Sequence, residues 1–158
     1  MTGILLFVNN TPIHWISKRQ KTVETSTYGS ELVAARIATE LIMEVRYQLQ
    51  MLGVPLAGPA TMLGDNLSVV INTSVPSSQL KKKHQAICYH WVREAIAAGA
   101  LTFAHIPSEL NSADCLTKLL GGDKLNPLIR PILFCLPKSR YNTVPGVPLE
   151  GKDKTENG

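Results

Sequence analysis

The stretch from residue 28 to residue 52 constrains the fold of this chain more than any other. Ala35, Ala38, Ile42, Val45, Leu49 and Leu52 recur at three-and-four spacing, which makes one apolar stripe along a long helix. Arg36, Glu40 and Glu44 fall on the opposite face. Thr25-Ser26-Thr27 supplies capping hydroxyls before it, Gly53 ends it, and Pro55 prevents its restart. A helix with a single apolar side must bury that side against another layer.

Short apolar runs on either side of the helix supply that layer. Residues 4–8 and 13–17 read as strands joined at Asn9-Asn10-Thr11-Pro12, a hairpin. Residues 60–64 read as a strand ending in Gly64-Asp65-Asn66, with a helix starting through Leu67, Val69, Val70 and Ile71. Ser77-Ser78 is suited to capping a helix over 79–98, closed by Gly99, with Leu80, His84, Ile87, Trp91 and Ala95 as its inner stripe. Residues 101–106 alternate as a strand, and residues 112–120 read as a short capped helix stopped by Gly121-Gly122. The order predicts an α/β fold, a mixed sheet with flanking helices.

With 158 residues, 44% of them hydrophobic, the chain has enough apolar material for one cored domain and too much for a disordered tail. The pattern places that domain at residues 1–122 and an extension at 123–136. Proline, glycine and charge then predict disorder over 137–158. Three widely spaced cysteines, Cys88, Cys115 and Cys135, argue against a disulfide framework or a zinc module and predict buried small hydrophobes in an intracellular compartment. No apolar run approaches the ~20 residues of a membrane helix, so no membrane partner is expected. The N-terminus has no basic region ahead of a sufficient apolar stretch, which excludes a signal peptide. Opening almost inside a strand, it reads as a chain whose first segment is missing.

The net charge of +4 permits an anionic partner without demanding one. Lys18-Arg19-Gln20-Lys21 is a basic loop, which is most simply solvated. Lys81, Lys82 and Lys83 lie at the expected start of a helix, where positive charge opposes the macrodipole. A phosphate-facing role and a solvated run fit that cluster equally. His84, His90 and His105 read as ordinary core, surface and strand-end histidines.

Three acids stand out by place. Extending the long helix's stripe back one turn lands on Glu31, a carboxylate on the core-facing side, where burial without a partner is costly. Asp65 stands at the carboxyl end of a strand, where open α/β sheets bind ligands, although alone it reads as a helix N-cap. Asp114 lies in the first turn of a short helix and alone is a dipole-matched surface acid. Together they suggest carboxylates converging at one end of the sheet. Mg²⁺ favours oxygen ligands, and phosphodiester-cleaving sites hold two such ions about 3.5–4 Å apart.

The wording of the sequence goes further. Gly3-Ile4-Leu5-Leu6-Phe7, then Ile13-His14-Trp15-Ile16-Ser17-Lys18-Arg19-Gln20, then Thr22-Val23-Glu24-Thr25-Ser26-Thr27-Tyr28-Gly29-Ser30-Glu31 resembles the ribonuclease H region of copia-type LTR retrotransposon polyproteins. Gly64-Asp65-Asn66 resembles that family's Cys-Asp-Asn segment. Lys81-Lys82-Lys83-His84-Gln85-Ala86-Ile87 and Tyr89-His90-Trp91-Val92-Arg93-Glu94 resemble its basic helix. Ala113-Asp114-Cys115-Leu116-Thr117-Lys118 resembles its closing motif. The segments run in order from about residue 3 to residue 120.

The resemblance implies a ribonuclease H-like fold and cleavage of the RNA strand of an RNA–DNA hybrid by two Mg²⁺ ions. Glu31, Asp65 and Asp114 would be catalytic residues and metal ligands. Lys81, Lys82 and Lys83, with Lys18 and Arg19, would contact the nucleic acid, and an upstream reverse transcriptase region would be a neighbour. The hybrid would be chosen by groove shape and 2′-hydroxyl contacts. The family's first catalytic Asp lies on a strand ahead of the hairpin, whereas the first Asp of this chain is Asp65. The expectation is therefore a domain inactive by itself, with a non-catalytic nucleic-acid-binding or structural module as the alternative.

Overall fold

A computed structural model describes residues 1–20, 26–80, 83–130 and 132–133, without the side chain of His84. Lys81 and Lys82, part of the extension over 123–136, the tail over 137–158 and Cys135 fall outside the described residues.

Strands β1 (Thr2–Val8) and β2 (Thr11–Lys18) pair antiparallel, with Ile4 opposite Ile16 and Leu5 opposite Trp15. The register slips between Leu6 and Phe7, where Phe7 faces Pro12 and Leu6 faces His14. Pro12 has no N–H to give the ladder, and a bulge at an edge strand absorbs that loss. Asn9 turns the hairpin with a φ of 50°, a left-handed position that asparagine tolerates.

Helix α1 (Thr27–Met51) starts where Ser26 accepts a hydrogen bond from the Gly29 N–H. Leu32, Ala35, Thr39 and Ile42 are buried along it, and the Thr39 hydroxyl satisfies itself on the Ala35 carbonyl at 2.8 Å. The expected stripe holds at Ala35 and Ile42. It fails at Leu52, which is exposed just past the helix end, as are Tyr47 and Met51 in the last turns.

Strand β3 (Ala60–Gly64) and strand β4 (Leu101–His105) pair parallel, with Met62 opposite Phe103 and Gly64 opposite His105. Among the described residues the two pairs form separate two-stranded sheets rather than the one mixed sheet expected. Helix α2 (Leu67–Ser74) follows β3, and helix α3 (Ala86–Ala97) precedes β4. One core cluster joins Ala35 and Ile42 of α1 to Met62, Val92, Ala95 and Leu101, with Leu6 of β1 packed against it. A second joins Leu32, Val69 and Tyr89.

The helix expected over 79–98 begins only at Ala86, after a 3-10 turn at Lys83–Gln85. Arg93 explains the delay. Its guanidinium donates to the carbonyls of Asn72 (3.1 Å), Val75 (2.8 Å) and Pro76 (2.8 Å) and to the Ser78 hydroxyl (2.9 Å), while Tyr89 Oη donates to the Ser78 carbonyl at 2.8 Å. The segment that looked like a helix start is thereby held as a loop. The inner stripe also shifts. Tyr89, Val92 and Ala95 are buried, whereas Ile87 is 80% exposed and Trp91 45%.

After β4 the chain makes 3-10 turns at Ser108–Leu110 and Ser112–Leu116, shorter than the helix expected over 112–120. Helix α4 (Gly122–Ile129), with Pro127 inside it, occupies the start of the region read as an extension. No helix among the described residues is long and apolar enough to cross a membrane.

Candidate active site

Each of the three acids is placed by a different element. Glu31 lies just past the first turn of α1, which itself carries no acid, and is half-buried. Asp65 follows the last residue of β3. Asp114 lies in the 3-10 turn Ser112–Leu116. The plain readings of the last two do not survive. Asn66, not Asp65, caps α2, accepting from the N–H groups of Ser68 (3.0 Å) and Val69 (3.3 Å). The Asp114 side chain is only 14% exposed, so it is not a surface acid.

Of the three carboxyls, Glu31 is held away from its ordinary value. Burial pushes the Glu31 carboxyl above its ordinary value, and the negative charge of Asp65 adds to the effect. A hydrogen bond from Asn66 and the charge of Lys118 pull it back, and Asp114 raises it further. Asn66 therefore has two tasks. Its carbonyl oxygen caps α2, which leaves its amide N–H to serve Glu31. Asp65 Oδ2 accepts from the Ser108 hydroxyl at 3.3 Å, and its backbone oxygen lies 3.2 Å from His105 Nε2. The parallel register that sets Gly64 opposite His105 brings that histidine there.

Lys118 was not singled out by the sequence reading. Its Nζ stands 2.6 Å from Asp114 Oδ2, one helical spacing along the chain. The hydrogen bond to Asp114 chiefly raises its pKa, burial opposes, and the charges of Asp114, Asp65 and Glu31 reinforce the rise. The Cys115 thiol next to Asp114 is pushed up mainly by burial.

Carboxylates are the right donor chemistry for Mg²⁺. Their arrangement does not fit an ion, however. Among the described residues no group of three His, Cys, Asp or Glu side chains stands close enough to hold one metal, and Asp114 already holds an ammonium. The geometry supports a shared electrostatic cluster rather than a formed metal centre.

Lys18 and Arg19 are exposed. Just before them, the Ser17 hydroxyl donates to the Leu116 carbonyl at 2.6 Å. Just after them, Gln20 Nε2 donates to the Ser30 carbonyl at 2.7 Å and to Thr2 Oγ1 at 3.0 Å. The basic pair is thus tied on one side to the turn carrying Asp114 and on the other to the turn carrying Glu31. Of the expected lysine cluster only Lys83 is described. It is exposed and lines an open cleft of about 420 Å³ with His90 and Arg93, and this cleft shares no residue with the carboxylates.

Retrovirus-related Pol polyproteins are similar to this chain. Those from transposons RE2 and RE1 of Arabidopsis thaliana are each 30% identical over 119 residues, which is 75% of this chain and 8% of theirs. That from transposon TNT 1-94 of Nicotiana tabacum is 30% identical over 123 residues, 78% of this chain and 9% of its own. The chain therefore spans less than a tenth of the length of the curated relatives it matches. No protein-family model matches the chain, and no solved structure matches it significantly.

Proposed function

We propose that this chain is a ribonuclease H-like domain derived from a copia-type retrotransposon Pol polyprotein, and that it holds an RNA–DNA hybrid without cleaving it by itself. One observation carries the reading. Glu31, Asp65 and Asp114, the three acids that the motif order assigns to such a site, come from three separate elements and share one electrostatic cluster. Lys18 and Arg19 flank that cluster and supply positive charge where a phosphate backbone would pass. The similarity to retrovirus-related Pol polyproteins from transposons supports the retrotransposon origin. The lack of cleavage rests on the arrangement of the acids, since among the described residues no three-group set able to hold a metal is formed and Asp114 is paired with Lys118.

The test is binding of the full chain to a fluorescently labelled RNA–DNA hybrid across a salt series, with and without Mg²⁺. The expected result is salt-sensitive binding, weakened in Lys18→Glu/Arg19→Glu, with the RNA strand intact after incubation. Each lost phosphate contact should lower the salt slope by about 0.9 for a B-form duplex, and by a similar amount here. No binding at low salt refutes the hybrid reading. Cleavage that vanishes in Asp65→Asn refutes the inactivity.

A further inference from the structure

The open cleft of about 420 Å³ beside α3 lies apart from the carboxylates and is charged the opposite way. Buried Tyr89 and half-buried Arg93 make its floor. The guanidinium stands over the Tyr89 ring, 5.1 Å from its centroid, and Tyr89 Oη lies 3.1 Å from Ser78 Oγ. The oxygens that accept from Arg93 belong to neutral carbonyls and a hydroxyl, so they fix the guanidinium without cancelling its charge. His90 meets the Tyr89 ring edge-on at 5.1 Å, and the exposed His90 and Lys83 form the rim. Among the described residues no acid lines the cleft. A concavity lined by one sign of charge focuses its field and concentrates ions of the other sign.

We propose that this cleft is a phosphate-binding site, in which the Arg93 guanidinium and the Lys83 ammonium neutralise the anion and the His90 imidazole donates a hydrogen bond to it. Arg93 is locked in place before any ligand arrives, so little ordering is left to be done on binding. The volume falls in the range of about 300–1,000 Å³ usual for small-ligand clefts, and the open side admits a phosphate still attached to a longer molecule. The same chemistry is offered by the phosphodiester backbone of a strand and by a terminal phosphate. The cleft is lined by neither the three acids nor Lys18 and Arg19, so the site goes beyond the hybrid reading and stands without it.

The experiment follows the amide NMR signals of the isotope-labelled full chain during titration with sodium phosphate, with sodium chloride at matched ionic strength as the reference. Signals of residues 86–90 should move saturably with phosphate and not with chloride. Lys83→Glu alters an exposed side chain and leaves the floor intact, and it should weaken phosphate binding about tenfold. His90→Ala, also at the rim, should weaken it about threefold through one lost donor. Lys124→Glu makes the same change in net charge on α4, away from the cleft, and should keep the wild-type affinity. A short oligonucleotide with and without a 5′-phosphate separates the sources. Lys83-dependent movement with both forms assigns the backbone, and movement with the phosphorylated form alone assigns a terminal phosphate; either supports the site. The proposal is overturned if phosphate moves these signals no more than chloride does, if Lys83→Glu binds phosphate as well as the wild type, or if Lys124→Glu loses as much as Lys83→Glu. A chain that takes up phosphate here yet binds no hybrid refutes the hybrid reading and leaves this one standing.

Discussion

Gly3 lies where β1 passes under the turn that carries Asp114. A Cβ added there would stand 2.5 Å from Thr117 Cγ2 and 2.7 Å from the Ala113 carbonyl oxygen. Ordinary contact begins near 3.4 Å, so strand and turn must part by about 0.7 Å at the carbonyl, and the threonine methyl must give by about 0.9 Å. The carbonyl belongs to the backbone and cannot rotate out of the way, while the threonine can be trimmed. Gly3→Ala should therefore cost about 1–3 kcal/mol, the usual penalty for overpacking a close contact. Thr117→Ser removes Cγ2 and should recover part of that loss in the double variant, a coupling of about 0.5–1 kcal/mol. Urea denaturation of the four chains measures this, read as shifts in midpoint at constant slope. A Gly3→Ala chain within about 0.3 kcal/mol of wild type, or additive effects of the two substitutions, would refute the claim that β1 bears directly on the Asp114 turn.

Other perturbations follow from the same contacts. Leu32→Ala empties a fully buried site against Val69 and Tyr89 and should cost about 2–5 kcal/mol by thermal or urea denaturation. Arg93→Met should cost about 2 kcal/mol and speed amide exchange over residues 75–80, because the carbonyls of that loop lose their shared donor. Glu31 gives a pH signature. Its folded pKa lies above the ordinary 4.5, so the native state binds the proton more tightly than the unfolded one. Its contribution to stability is full below that ordinary value and is lost as pH rises through the raised one, and Glu31→Gln should flatten this fall in urea midpoint as pH climbs above 4.5.

Local signals explain what the sequence made legible. The α1 boundaries follow from Ser26 as cap and Gly53 as terminator, and both lie within a residue or two of the observed ends. The strands and their hairpin follow from short apolar runs broken by Asn9-Asn10. The third helix was misread because Ser77-Ser78 resembles a cap, and only the distant Arg93 shows that these residues stay in a loop. Its inner stripe was misread because Trp91 and Ile87 look more apolar than Tyr89. Tyr89 is nonetheless the buried one, since its hydroxyl finds the Ser78 carbonyl. The three acids were legible by place and motif, and the charges of Asp65 and Asp114 both raise the Glu31 carboxyl. Lys118 was not legible as a partner. Its pairing with Asp114 depends on how tightly the 3-10 turn closes, and the expected longer helix did not raise that question.

The shared side chain of Asn66 has a consequence for how order and ionisation communicate in this protein. The same amide group that holds the first turn of α2 closed also restrains the carboxylate at the start of α1. When Glu31 takes up a proton it becomes a poorer acceptor, and the grip of Asn66 slackens on that side. Fraying of the first α2 residues would, in the other direction, let the carboxylate drift away from its donor. The backbone amides of Ser68 and Val69 thus become reporters of the charge state of a residue on another helix, and hydrogen exchange at those two positions should vary with pH in step with Glu31.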